Sequence, residues 1–580
     1  MQRIERIYNS LEFCMLPILT TLFVCIDAVM TSPNDASSDQ LAQVVLYAEF
    51  DIDKGSTLRE SYPYAIDHYS PEFFADLMLP EGIHNREDDF TVFFLNRKTC
   101  LDSECISSDK DDIKPVREFM YCQSVVRTTH DNMVRRGASV KAVAICSRYK
   151  WCFSLRQLLD LAVRKIAGAQ DSHASTKILH ELYHVINSIS LNGIRNLSEM
   201  ERRLMKRTIT SRPYYNINWK ATEDSLYHST IAEWDEIKIP LRFKLCSTPD
   251  QHDDGLLSSL VATFGEQTMS LYNAVLSGAR VIVLGYNQPA GKVCSYVLAL
   301  SALVCPPLSG LSHRQFPYAN LNDLSFLSVP GYIAGVTNPM FKSKREWWDI
   351  LCDITTSEVF TSFPNERDEF ELVDKIFLQD VIDGVRAGFP EEWIRCRFEE
   401  YTSQNVVEVA FDETEYLDSE VRVKRTAVNN KRITKWARTD TYKEYSEFQR
   451  TQKHYASAFD VVETGGVDLR KHIRKLQGDA IWAEEELERM YTDFVTFLQS
   501  EKDLEEFLSH LPFLRGGLES IAQGLFHASI RIKYNTIVLL KRLERFPSTQ
   551  SSLKYLNPFI IMSYQRIHHL VEPDVRQDIA

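Results

Sequence analysis

Residues 281–300 read VIVLGYNQPAGKVCSYVLAL, two apolar runs separated by a Gly/Pro/Asn loop that ends in Gly-Lys. An apolar run without polar alternation must be covered on both faces. The stretch therefore predicts a buried strand turning into a helix of an α/β sheet. A glycine-bearing loop between strand and helix is also the setting of a phosphate cradle. The spacing argues against one: five residues separate Gly285 from Gly291, where the nucleotide-binding pattern has four, and Val293 follows Lys292 where a hydroxyl would meet Mg²⁺. Pro289 also removes a backbone N–H from the nest an anion would need.

The flanking segments extend this pattern. Residues 236–360 alternate strands and helices: KIPLRFKL, a helix over LLSSLVATFGEQTMSLYNAVLSG, RVIVLGY, the helix KVCSYVLALSALV, and GYIAGVTN. Such alternation predicts a doubly wound parallel α/β sheet, with Gly278 closing the helix before the central strand. Residues 41–190 form an upstream α/β unit, with strands in QVVLYAEFDIDKG, FTVFFLN and SVKAVAICSRY and a turn at Gly55. Helical spacing follows at Leu155, Leu158, Leu159, Ala162, Val163 and Ile166. Residues 191–235 read as a polar linker, and 361–580 as helical, with Leu487, Tyr491, Phe494 and Leu498 on one stripe. The fold class is thus α/β plus α.

Residues 1–40 form a leader whose uncharged run FCMLPILTTLFVCI is shorter than the roughly 20 residues a bilayer span needs. Glu5 and Glu12 spoil the basic region of a signal peptide, so an added amphipathic leader is the reading. A net charge of -14 on 580 residues argues against a nucleic-acid partner. Twelve scattered cysteines without a Cys-x-x-Cys pair read as reduced, packed thiols of a cytoplasmic protein.

Three short stretches invite functional readings. HELYH, residues 180–184, puts two imidazoles on one helix flank with a glutamate, as in a zinc hydrolase using His180, Glu181 and His184. No extended motif supplies a third ligand, and Ile178, Leu182, Val185 and Ile189 make the apolar face of that helix. VRVKRTAVNNKRITKWAR, residues 421–438, carries seven Lys or Arg and no acid, directly after the acidic FDETEYLDSE. It reads as one of two oppositely charged solvated loops, the alternative being contact with acidic lipid headgroups or an acidic protein. LRGG, residues 514–517, reads as a helix terminus. No Ser/His/Asp set, paired carboxylates or dinucleotide fingerprint stands out, so no catalytic residue, metal ligand or cofactor is assigned.

The block FPYANLNDLSFLSVPGYIAGVTNPMFKSKREWWDILCDITT, residues 316–356, together with RVIVLGYNQPAGKVCSYVLALSALV, resembles the DENN superfamily. It is most similar to the fungal stabilisation-of-polarity-axis and Arf-docking branch, with its VPGxIAGVTNPxF and WWDxLCD hallmarks. VVLYAEFDIDKGSTLRESYP and FFADLMLPEGIHNREDDFTVFFLN resemble the upstream module of that family. The resemblance implies a tripartite body: a longin-like upstream module, a central doubly wound α/β module and a helical downstream module. It implies exchange-factor activity on Rab GTPases or, alternatively, a non-catalytic scaffold that docks an Arf GTPase at sites of polarised growth. The implied partner is a small GTPase of the Rab or Arf class, with peripheral association with acidic membrane as a further expectation. Neither activity needs a catalytic side chain, since an exchange factor lowers nucleotide affinity through linked binding energy. Asn338 and Pro339, in the loop GVTNPMF, and Trp347 and Trp348, in an expected helix KREWWDIL, are the assigned GTPase contacts. The adjacent tryptophans cannot share a helix face, so one is expected to pack on the sheet and the other to serve as the anchor.

Overall fold

A computed structural model describes residues 40–98, 117–130, 138–189, 227–244, 250–362, 372–452, 467–477, 482–511 and 517–567, apart from a few single or paired positions within them. The leader, except Gln40, and most of the expected linker lie outside the described residues, as does LRGG except Gly517.

The upstream module is an antiparallel sheet of β1 (Val44–Asp51), β2 (Gly55–Tyr62), β3 (Asp88–Lys98), β4 (Arg117–His130) and β5 (Ala138–Ser147), in the order β2-β1-β5-β4-β3. Successive side chains alternate between faces, so the unbroken apolar runs over residues 44–48 of β1 and 142–146 of β5 build two cores. Val45, Tyr47, Val143 and Ile145 pack with helices α2 (Arg156–Ala167) and α3 (Ser172–Asn187), while Val44, Leu46, Ala142 and Ala144 pack with α1 (Pro71–Met78). β2 and β4 were not expected. β2 is an edge strand with little apolar sequence, placed by a hairpin whose Gly55 has φ 79°. β4 hides its signal behind Gln123, Ser124 and Thr128, polar residues that are nonetheless buried.

A hairpin of β6 (Tyr227–Trp234) and β7 (Ile237–Lys244) begins inside the expected linker. KIPLRFKL thus joins a separate two-stranded sheet and not the central one. Its inward residues Ala232, Trp234, Ile239, Leu241 and Phe243 complete the core of α2 and α3.

The central module opens with two helices, α4 (Leu257–Phe264) and α5 (Thr268–Leu276), where one was expected; Gly265, at φ 50°, breaks the run. Gly278 turns the chain at φ 70° into β8 (Val281–Leu284), and α6 (Ala290–Ala302) follows. With β9 (Gln315–Phe316), β10 (Ile333–Val336), β11 (Ile350–Asp353) and β12 (Glu358–Thr361) the sheet order is β12-β11-β8-β10-β9. β8 through β11 run parallel and β12 antiparallel. Val281 and Val283 face the helices, whereas Ile282 and Leu284 face Phe326, Phe341 and Trp348 from short helical turns. Long helices therefore cover one face, where winding on both was expected. The expected helix KREWWDIL is not formed: a 3-10 turn at Arg345–Trp347 leads through Trp348 and Asp349 into β11, whose pairing with β8 takes up its backbone groups.

Downstream, α7 (Leu372–Arg386) and α8 (Glu391–Thr402) complete the central core through Phe377, Leu378, Val381, Trp393, Ile394 and Phe398. The basic stretch, expected as a loop, is helix α9 (Ser419–Trp436). From Leu469 onward a separate helical core forms, where α10 (Glu484–Phe497) contributes Tyr491 and Phe494 of the expected stripe. The described cysteines Cys122, Cys146, Cys152, Cys294, Cys305, Cys352 and Cys396 are buried and form no disulfide. Among the described residues no helix is long and apolar enough to cross a membrane.

Candidate functional site

Helix α6 is apolar all round and lies between the two sheets, as a fully buried helix must. Ala290, Cys294 and Leu298 pack on the upstream sheet, and Val293, Val297 and Leu300 in the central core. A buried helix start leaves backbone N–H groups that need an acceptor. The upstream module supplies it: the Asp89 carboxylate accepts from Ala290 N at 2.8 Å, Gly291 N at 3.0 Å and Phe90 N at 2.8 Å. The anion at this phosphate-cradle-like loop is thus the protein's own. Gly291 is required by the same approach, since a β-carbon there would overlap the Phe90 ring.

Ligands of parallel α/β sheets bind outside the carboxyl ends of the strands. Here those ends of β8 and β10 are bridged by the upstream LPEG turn. Asn338 donates from its side chain to Glu81 at 3.2 and 3.3 Å, Glu81 N donates to the Tyr318 hydroxyl at 3.1 Å, and Arg86 donates to the Asn287 carbonyl at 2.5 Å. Asn338 also accepts from Met340 N at 3.0 Å, which starts the short helix Met340–Ser343. At the end of β11, buried Asp353 pairs with Lys342 at 2.8 Å and accepts from Thr355 N at 3.0 Å, while the Thr355 hydroxyl donates to the Tyr286 carbonyl at 3.0 Å. These bonds fasten three loops and a turn into one rim. On it Tyr286 is 48% and Met340 51% exposed, beside exposed Pro339.

The four expected contact residues do not converge. Asn338 and Pro339 sit at the carboxyl ends of the parallel strands, whereas Trp347 and Trp348 precede β11 at the amino ends. Trp348 is 2% exposed and donates from Nε1 to the Phe341 carbonyl at 2.9 Å, so its ring is a packing group. Trp347 is half-buried, edge-on to Phe341 at 5.4 Å, with the Lys344 ammonium 5.9 Å from its ring centre. Asp349, next after Trp348, accepts from the Arg280 backbone and guanidinium at 2.8 Å. Burial works to raise its pKa, but the Arg280 hydrogen bonds outweigh burial and hold it below the usual carboxylate range. Tyr286, Met340 and Glu81 were missed; only the loop position of Tyr286, beside Gly285, carried a signal in the sequence.

The HELYH side chains are engaged otherwise. His180 stacks on Tyr62 at 3.9 Å, its Nε2 is 3.9 Å from Glu60, and His184 Nε2 lies 3.4 Å from the Tyr62 hydroxyl. Both rings join α3 to the edge strand β2. Among the described residues no group of three His, Cys, Asp or Glu is placed to hold a metal ion; Glu199 and Glu201, the nearest following acids, lie outside the described residues.

Compared with known proteins, residues 256–363 match the family model described as Stabilization of polarity axis, from α4 through β12. Residues 44–118 match the Docking domain of Afi1 for Arf3 in vesicle trafficking, which here takes in β1, β2, α1 and β3. An AFI1-like protein of Schizosaccharomyces pombe is 24% identical over 592 residues, covering 86% of this chain and 94% of that protein. ARF3-interacting protein 1 of Saccharomyces cerevisiae is 19% identical over 320 residues, 46% of this chain and 35% of that protein. DENN domain-containing protein 11 of Rattus norvegicus is 31% identical over 108 residues, 18% of this chain and 24% of that protein. Two family models on the two α/β modules, and relatives that share them, agree with the resemblance read from the motifs: the chain is a relative of the DENN-related polarity and Arf-docking proteins.

Proposed function

We propose that this chain docks a small GTPase of the Arf class in vesicle trafficking and polarised growth, by surface complementarity and without bond-making chemistry. One observation carries the reading: the Arf3-docking match on residues 44–118 falls on the upstream sheet and its LPEG turn, the element bonded to the rim of the central module. The docking surface joins that turn to Asn338, Pro339, Tyr286 and Met340, with Trp347 as a second contact at the far end of the strands. Trp348 holds the loop from within. An aromatic and a methionine standing out from a hydrogen-bonded ring are the side chains that dominate interface energies. The longin-like, α/β and helical tripartite body is the architectural part of the same proposal, as is a cytoplasmic pool recruited to sites of polarised growth.

Exchange activity on a Rab GTPase is the second reading, favoured by the match to a DENN-domain protein. The two differ in nucleotide preference. A scaffold binds the GTP-loaded state more tightly, whereas an exchange factor binds the empty one and thereby weakens nucleotide. The test is fluorescent-nucleotide release across a panel of Arf and Rab proteins, with pull-downs on GTP- and GDP-loaded forms. The expected result is retention of a GTP-loaded Arf without faster release, and at least about tenfold weaker retention by the Tyr286→Ala/Met340→Ala variant. Accelerated release from a Rab replaces docking by exchange, and no retention of any GTPase ends both readings.

A further inference from the structure

The basic stretch of residues 421–438 is taken up by neither reading, and its helical form changes what it can do. Intervals of seven, four and three residues place Lys424, Lys431, Lys435 and Arg438 along one side of α9 and the turn after it, over about 21 Å. All four are exposed. Glu420, one turn before Lys424, is the acid on this side. The opposite side is anchored: Trp436 is fully buried, Asn429 nearly so, and the Arg432 guanidinium donates to Asp374 of α7 and to the Tyr401 hydroxyl of α8, each at 2.6 Å. The stripe is therefore held on a fixed element, with only side-chain order left to lose on binding.

We infer that this outward side of α9 is a binding surface for anionic lipid bilayers. Between the basic residues stand Ala427, half-buried Val428, Asn430 and Thr434, with no exposed large apolar anchor of the kind a protein interface is centred on. The tryptophan of the stretch is buried, so there is no stacking platform for nucleobases, and the net charge of -14 opposes a nucleic acid. What remains is a row of mostly lysine charges, which suits the diffuse negative charge of lipid headgroups and not one fixed carboxylate fork. Val421 and Val423, 45% and 69% exposed in the first turns, suit the headgroup boundary at the end of that row. Electrostatic binding of this kind weakens with salt.

The full chain is to be sedimented with vesicles of phosphatidylcholine alone and of equimolar phosphatidylcholine and phosphatidylserine. It is expected to co-sediment only with the anionic vesicles, less at higher salt. Lys424→Gln and Lys431→Gln should each weaken partition about fivefold. The double variant should keep the melting temperature of the parent, and its retention of GTPase without lipid, so failure here leaves the docking reading untouched. Equal binding to neutral vesicles, no binding to anionic ones, or undiminished binding by the folded double variant would each overturn the inference.

Discussion

Two stretches of this chain show affinity for anions in their sequence, the GYNQPAGK loop ahead of α6 and the basic run of α9, and the fold treats them in opposite ways. At α6 the helix start is buried, and Asp89 from the other module occupies it. At α9 the side carrying Lys424, Lys431 and Lys435 faces water, and the side carrying Asn429, Trp436 and the Asp374-paired Arg432 is packed. The difference follows from desolvation. A buried N–H without an acceptor costs about 1–3 kcal/mol, so a stable fold brings an acceptor to it. The exposed ammonium groups of Lys424 and Lys431 are within reach of water, which satisfies them at no such cost.

The largest expected effect tests what holds α9 in place. Asp374→Ala leaves the Arg432 guanidinium buried without its carboxylate and should destabilise the protein by about 3–5 kcal/mol in chemical denaturation. A change near zero would mean that this pair does not anchor the helix. Next, Asp89→Ala orphans the first N–H groups of α6 and should lose about 1–3 kcal/mol, with Asp89→Asn recovering part by keeping one acceptor. If both variants melt like the parent, water replaces the carboxylate and the contrast between the two stretches fails. The smallest effect belongs to the outward stripe. Lys431→Gln should change stability by no more than about 0.5 kcal/mol, and a larger loss would show that the lysine is structural.

Much of the fold was legible. β1, β3, β5 and β8, the helix α6 and the stripe of α10 follow from runs whose period names both the element and its buried face. β2 and β4 escaped because an edge strand needs little apolar sequence and because β4 buries Gln123 and Ser124 against its neighbours. KREWWDIL was misread as a helix since its four apolar residues fit either period; pairing of Ile350 and Leu351 with β8 decided for a strand. Of the candidate site, Asn338 and Pro339 were visible as a loop leaving a strand. That one tryptophan packs inward was legible from their adjacency; that it is Trp348 was not, since adjacency shows divergence but no direction.

Residue order alone determined the elements whose period names an apolar side, among them β1, β3, β5, β8 and α6, because a period is a property of neighbouring positions. Tertiary structure decided the partners. Asp89 reaches Ala290 across 201 residues, and Asn338 reaches Glu81 across 257. No local pattern specifies such a pairing, since it arises only where two separately formed sheets press on one helix and each buried polar group must find its complement.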